Sequence, residues 1–174
     1  MTSSLDPQRL APSDARVALL SLPRRWRALL VPPEGTDEAD RPDDVARRRP
    51  PDGGESALDH LLLATAALEW ADRAMHDVLV RDGPEVPVEP AAAIGAGEEV
   101  ALGDALDRLR SRAEGLAEAI THVDAGDWTR SGTVPGGEEV TALGLVGHAV
   151  HQGVHHLREA ERVLAQVRGR EADE

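Results

Sequence analysis

The sequence predicts an all-α protein built as a four-helix bundle. Few stretches alternate apolar and polar residues, and β-branched residues are sparse, so strands are poorly supported. Long segments rich in Ala, Leu, Arg and Glu instead repeat apolar residues at three- and four-residue spacing, which is typical of amphipathic helices. Four such segments and two long connections predict a bundle in a single domain of 174 residues. The helices are expected at 14–30, 56–81, 100–123 and 139–168, with loops at 34–54 and 83–97.

The first helix is expected to begin after Ser13, whose hydroxyl is suited to cap it. Pro23 is expected to divide this helix, because a proline inside a helix removes a hydrogen bond and clashes with the preceding turn. Pro32 and Pro33 end it. The connection that follows, 34–54, is rich in Pro, Asp and Arg and is predicted to be a loop with one helical turn around 43–48.

The second helix carries two apolar stripes, which predict contacts with two neighbouring helices. The wider stripe comprises Ala57, Leu61, Ala64, Leu68, Ala71, Met75 and Leu79. The narrower stripe comprises His60, Leu63, Ala67, Trp70 and Ala74. The third helix has one core face, formed by Leu102, Leu106, Leu109, Ala113, Leu116 and Ile120.

The charge of the chain argues against several classes of partner. It holds 32 acidic and 19 basic residues, a net charge of −13, and this field repels nucleic acid and anionic membrane surfaces. No apolar run is long enough to span a bilayer, and the first residues lack the pattern of a secretory signal. The chain has no cysteine, which excludes a protein thiol as nucleophile. We expect a cytoplasmic protein.

Histidine is concentrated in the last helix, where four of the seven lie within nine positions: His148, His151, His155 and His156. Side chains four apart share a helix face, so His151 and His155 are candidates to clamp a divalent ion together. His60, near the start of the second helix, is the candidate for a third ligand. Three protein ligands would leave room for water or substrate.

Helical phase favours a different pair. At about 100° per residue, His148, His151 and His155 lie roughly opposite the apolar face, whereas Gln152 and His156 lie on its flank. A metal site in a bundle faces the interior or a cleft, which favours the second pair, yet glutamine is a poor ligand. Both alternatives remain open, as does simple packing of hydrogen-bonded histidines. The apolar face itself comprises Ala142, Val146, Ala149, Val150, Gly153, Leu157, Ala160 and Leu164.

Three segments resemble the DinB-like superfamily, which includes mycothiol-dependent maleylpyruvate isomerases, and in particular its small actinobacterial members. They are LPRRWRALL at 22–30, ESALDHLLLATAAL at 55–68, and DWTRSGTVPGGEEVTALGLVGHAVHQGVHHLREAERVL at 127–164. The most specific feature is Trp128, followed by a turn and then by a helix that carries HHL.

The resemblance implies a bundle of up-down-down-up topology, often a homodimer. It also implies a divalent metal, frequently nickel or zinc, held by one histidine of the second helix and two ligands four apart on the fourth. A low-molecular-weight thiol such as mycothiol then binds the metal and attacks or isomerises a small-molecule substrate. In the family's register, Leu63 and Gln152 occupy two ligand positions and only His156 is retained.

The sequence therefore supports two functions. The first is a metal-dependent thiol transferase or isomerase that uses His60, His151 and His155 or His156, with a degenerate or rearranged metal site. The second is a non-catalytic bundle that binds a small molecule or serves as a dimeric structural module.

Overall fold

The computed structural model describes residues 10–32, 41–90 and 100–173, and it confirms the all-α four-helix bundle. Four long helices carry the fold, and a short helix and a two-stranded hairpin lie in the connections. In chain order the elements are α1 (Pro12–Leu30), α2 (Pro42–Arg47), α3 (Ala57–Val80), α4 (Leu102–Thr121), a 3-10 turn (Asp127–Thr129), β1 (Ser131–Thr133), β2 (Glu139–Thr141) and α5 (Ala142–Asp173).

The long helices have the expected up-down-down-up directions. The last turns of α3 and α4 lie side by side, so these two helices are parallel. Arg27, near the end of α1, pairs with Asp107 near the start of α4 at 3.9 Å, which makes α1 antiparallel to α4. Ala142, the first residue of α5, donates to the Arg130 carbonyl, and Arg130 donates to the Val78 carbonyl near the end of α3. His156 of α5 meets His60 near the start of α3, so these two helices are also antiparallel.

The predicted apolar faces of α3, α4 and α5 are buried, because each meets a neighbouring helix; in the narrower stripe of α3, however, Leu63 and Trp70 are half-exposed. Every predicted core residue of α4 and α5 is buried, and the wider stripe of α3 is buried except for the half-exposed Leu79. Helix ends differ from the prediction by up to five residues. Of the predicted loops, 34–40 and 91–97 lie outside the described residues, as do residues 1–9. Among the described helices, none is long and apolar enough to cross a bilayer.

Two expectations for α1 are wrong. The helix starts at Pro12 after Ala11, without a side-chain cap, so Ser13 is not the cap. Pro12 fits the first helical position, where its missing N–H needs no partner. Pro23 lies inside one continuous helix instead of dividing it. Its cost of about 3 kcal/mol is offset by neighbouring large side chains that are fully buried, Leu19, Leu22 and Trp26.

The helical turn predicted around 43–48 is present as the short helix α2, which fixes the start of α4. Asp43 accepts a hydrogen bond from the Leu102 N–H at 2.7 Å, in the first turn of α4. Arg47 donates to the Val100 carbonyl at 2.6 Å and to Asp43 at 2.6 Å. These bonds satisfy an otherwise unpaired N–H of the helix terminus, so α2 acts as a remote cap.

The expectation of no sheet is also wrong, because β1 and β2 form an antiparallel hairpin before α5. The segment after α3 joins it: Val86 N–H donates to the Thr133 carbonyl, and Thr133 N–H donates to the Pro84 carbonyl, both at 2.9 Å. A Cβ at Gly132 would lie 2.7 Å from the Pro84 carbonyl oxygen. Glycine is therefore required at this close approach, and the hairpin holds segment 84–90 against the α3–α5 interface.

Candidate functional site

His60 and His156 meet in the interface between α3 and α5. Their Nδ1 atoms are 3.3 Å apart, and their ring centroids are separated by 5.5 Å. Ser56 and Asp59 form a capping box, in which each side chain accepts a hydrogen bond from the other's backbone N–H at 3.1 and 2.9 Å. This cap fixes the first turn of α3 and so the position of His60 directly after it.

Both rings are held away from solvent, and both are neutral at neutral pH. Burial, together with the charges of His155 and His60, lowers the pKa of His156 to about 4, while the Glu89 carboxylate acts in the opposite direction. Burial also lowers the pKa of His60, while the Glu55 carboxylate acts in the opposite direction. His60 is only 7% exposed, and His156 is half-buried. Neutral imidazole is the form that binds metal ions.

A hydrogen bond between the two rings needs two different tautomers. One Nδ1 must carry a proton and donate it, and the other must be free to accept, since two facing N–H groups would repel. Glu55 Oε2 lies 3.9 Å from Nδ1 of His60, but a neutral imidazole forms no ion pair with it. The contact is therefore compatible with a shared proton or with a shared cation.

The spacing of the two nitrogens fits a divalent metal ion. Zn–N bonds of about 2.0–2.1 Å place two ligands of a tetrahedral ion about 3.3–3.4 Å apart, and the two Nδ1 atoms are 3.3 Å apart. A third protein ligand is not evident: within residues 10–32, 41–90 and 100–173, no group of three His, Cys, Asp or Glu side chains is arranged to hold an ion. His60 and His156 thus fit as two ligands of an open centre.

Leu63 and Gln152 lie further along the same interface. At one end of this interface, the Trp70 ring of α3 contacts the His148 ring of α5, with ring centroids 5.4 Å apart. At the other end, His60 of α3 contacts His156 of α5. In antiparallel helices this register places Leu63 and Gln152 between the two contacts, and both are half-exposed. Two of the three positions that the family register would assign to metal binding are therefore an apolar side chain and an amide, and the third is His156.

His151 and His155 lie on the solvent side of α5. Both are exposed, and their rings are nearly parallel, with centroids 6.3 Å apart. The His155 ring also contacts the His156 ring edge-on at 5.1 Å. The residue that faces His60 directly is therefore His156, on the flank of the apolar face. A role for His151 or His155 in metal binding stays a prediction.

A second set of polar contacts lies near the start of α5 and was not predicted. Glu89 binds Nε2 of His148 at 2.7 Å, and the Trp70 indole N–H donates to the Pro87 carbonyl at 2.8 Å. Segment 84–90 has no periodicity that predicts such contacts. Beside it, a cavity of about 460 Å³ opens between the hairpin and α5, with Trp70, Leu145, His148 and His151 in its lining. Its volume is in the range of small-molecule sites.

Comparison with known proteins places this geometry in a family. The solved structure of YfiT from Bacillus subtilis, described as a probable metal-dependent hydrolase with an unusual four-helix bundle topology, matches with a TM-score of 0.75. The match covers 91% of this chain and 87% of YfiT at 14% identity, so it shows a shared fold. No curated protein sequence matches the chain significantly. The family model of the DinB superfamily matches residues 22–160, and the chain therefore belongs to the DinB superfamily.

Proposed function

We propose that this protein binds a divalent metal ion between His60 and His156 and is a metal-dependent enzyme acting on a small molecule. The observation that carries the proposal is the 3.3 Å approach of two Nδ1 atoms. Their burial lowers both pKa values, so protons do not compete for the nitrogens at neutral pH. The description of YfiT as a probable metal-dependent hydrolase supports the same class of reaction.

The residues around the pair suit a centre with open positions. A divalent metal bound there would lower the pKa of a bound water or thiol and so supply a nucleophile at neutral pH. His60 and His156 hold the site from two helices, and the cap at Ser56 keeps His60 in place. The cavity beside Trp70 and His148 would receive the substrate's apolar part. Since His148 and His156 are eight residues apart, about 12 Å along the helix, the substrate would extend between them.

The finer assignments are part of this proposal. They are the choice of nickel or zinc, a mycothiol-type thiol as cosubstrate, membership of the actinobacterial group, a homodimer, and a cytoplasmic location. The absence of cysteine is compatible with a thiol that arrives as cosubstrate.

A second candidate function is a non-catalytic bundle that binds a small molecule. Leu63 and Gln152 favour it, because neither supplies a good third metal ligand. In that case His60 and His156 are only a hydrogen-bonded pair, and the cavity near Trp70 is the binding site.

Metal titration of the untagged protein distinguishes the two. We expect calorimetry with nickel and with zinc to show binding that weakens at least about 100-fold in His60→Ala and in His156→Ala, because each substitution leaves one protein ligand. The matched control is His122→Ala, an exposed histidine at the end of α4.

Binding that survives both substitutions would refute the metal site at this pair. If binding is confirmed, the loaded protein should hydrolyse simple esters or transfer a small thiol to an electrophile, and His156→Ala should abolish this activity. A loaded protein without any such activity would support the second candidate.

A further inference from the structure

The cavity of about 460 Å³ between the hairpin and α5 has an apolar floor and an acidic rim. Leu145 is fully buried at the floor, and Val140 packs partly buried against the core. Glu138 and Glu139, both exposed, line the cavity on the hairpin side. The Ser131 hydroxyl donates to Oε1 of Glu139 at 3.3 Å, which orients this carboxylate. A ligand would therefore meet apolar surface and negative charge together.

Two of the N–H groups in the lining are already used within the protein. The Trp70 indole N–H donates to the Pro87 carbonyl at 2.8 Å. Nε2 of His148 lies 2.7 Å from Oε2 of Glu89, and since an ionised carboxylate only accepts, this nitrogen carries the proton and donates it. Among the described residues of the lining, His151 is the one other side chain with an N–H group, and it is exposed. The lining therefore offers a ligand more acceptors than donors.

The charges around the cavity favour a cation. No arginine lies among the described residues that line it, and the chain has no lysine. The two carboxylates of the lining attract a positive charge, and the net charge of −13 acts in the same direction. The face of a tryptophan ring also attracts cations, and Trp70 lies in the same lining. An anionic ligand would instead meet repulsion from every charged side chain of the rim.

We propose that this cavity binds a small organic amine in its ammonium form, with the charged group at Glu138 and Glu139 and an apolar body against Leu145. The ammonium group supplies the donors that the lining lacks, and its charge offsets that of the carboxylates. The inference rests on the proposed function in taking this cavity as the place of the substrate's apolar part, to which it adds a cationic end. Binding of the ammonium itself requires no metal.

Three probes of similar shape separate the effect of charge from that of apolar contact: phenethylammonium, phenethyl alcohol and phenylacetate. Each is titrated by calorimetry into the untagged full-length chain at pH 7, as purified and again with EDTA. We expect the ammonium to bind at least about tenfold more tightly than the alcohol, and the anion to bind most weakly. EDTA should leave these affinities unchanged, because the site contains no metal.

Glu138→Gln/Glu139→Gln removes both charges of the rim and keeps the size of the side chains. The affinity for phenethylammonium should fall at least about tenfold, whereas that for the alcohol should stay within about twofold of wild type. The matched control is Glu114→Gln/Glu118→Gln, which removes two exposed carboxylates of α4 and changes the net charge by the same amount. It should leave both affinities within about twofold of wild type.

Equal binding of the ammonium and the alcohol, or no binding of the ammonium, would overturn the cation site. An equal loss of ammonium affinity in the control variant would also overturn it, because the preference would then come from the net charge of the chain. Metal binding and ester hydrolysis by a protein that does not prefer the ammonium would refute this inference and leave the proposed function intact. Selective ammonium binding by a protein that binds neither nickel nor zinc would support the cation site and refute the metal site.

Discussion

Two histidine pairs lie one turn apart in this bundle, and they differ in almost every physical property. His60 and His156 come from two helices, are withdrawn from solvent and approach to 3.3 Å. His151 and His155 come from one helix, are exposed and only stack. The second pair carries the H-x-x-x-H spacing that a sequence search would select. The first pair has no sequence spacing at all, since its members are 96 residues apart.

The difference shows that environment, more than residue type, determines what an imidazole can do. Packing between α3 and α5 lowers the pKa of both buried rings and holds their nitrogens at a distance that suits a shared ion. The exposed pair keeps its hydration and its rotational freedom, so ordering it around a ligand costs side-chain entropy. The buried pair is already ordered.

The largest expected effect comes from adding a third ligand to the buried pair. Gln152 precedes His156 by one turn on the same helix flank, so Gln152→His adds an imidazole beside it. We expect the affinity for Zn²⁺ to rise roughly 100-fold, because the centre gains a donor that prefers this ion. Calorimetry of the untagged protein measures it.

The matched control is Gln166→His, the same substitution at an exposed position of α5 ten residues beyond His156, nearly three turns away. It should leave the affinity of the inner site unchanged. An equal affinity in Gln152→His and wild type would mean that position 152 does not converge on His60 and His156.

A smaller effect is expected in the dependence of stability on pH. The unfolded chain binds a proton at His156 below its ordinary pKa of 6.5, whereas the folded chain binds it only near a pKa of about 4. The contribution of His156 to the free energy of unfolding is therefore fully present above pH 6.5 and is lost as the pH falls towards 4. The shift corresponds to about 3 kcal/mol, which solvent screening of the half-buried ring reduces to about 1–2 kcal/mol.

This loss is measured by urea unfolding of the wild type and of the double variant His60→Leu/His156→Leu, each at pH 7 and at pH 5. The double variant removes both polar groups, so neither is left unpaired. Between pH 7 and pH 5, its free energy of unfolding should fall by about 1–2 kcal/mol less than that of the wild type. The carboxylates elsewhere are the same in both chains, so their contribution to the fall cancels. Equal losses would show that burial of these rings does not oppose their protonation.

The fold was predictable because amphipathic period is a local property of the sequence. The stripes of α4 and α5 identified their buried faces residue by residue, as Leu109 and Leu157 illustrate. The errors occurred where tertiary contacts override local rules. Pro23 stays within α1 because its neighbours are deeply buried. The turn predicted around 43–48 is present as α2, but its hydrogen bonds from Asp43 and Arg47 to the start of α4 could not be predicted.

The candidate site was only partly predictable for the same reason. Helical phase identified the flank that carries His156, but it gave no information on which residue of α3 lies opposite. His60 was a candidate by type, and its partner depends on the antiparallel register of two helices. The contacts of Glu89 with His148 and of Trp70 with Pro87 come from an irregular segment, for which the sequence has no comparable signal.

The smallest expected effect concerns the stability contributed by the exposed pair. Solvent-facing side chains away from caps and buried contacts usually change the free energy of unfolding by less than about 0.5 kcal/mol each, and alanine has a higher helix propensity than histidine. His151→Ala/His155→Ala should therefore leave the unfolding free energy unchanged or raise it slightly. His60→Ala should lower it by about 1–3 kcal/mol, because it leaves His156 partly buried without its hydrogen-bond partner. Urea denaturation of the two variants at pH 7 makes the comparison directly. If the exposed pair proves as costly to remove as His60, then His155 stabilises the interface through its ring contact with His156, and the two pairs form one structural unit instead of two.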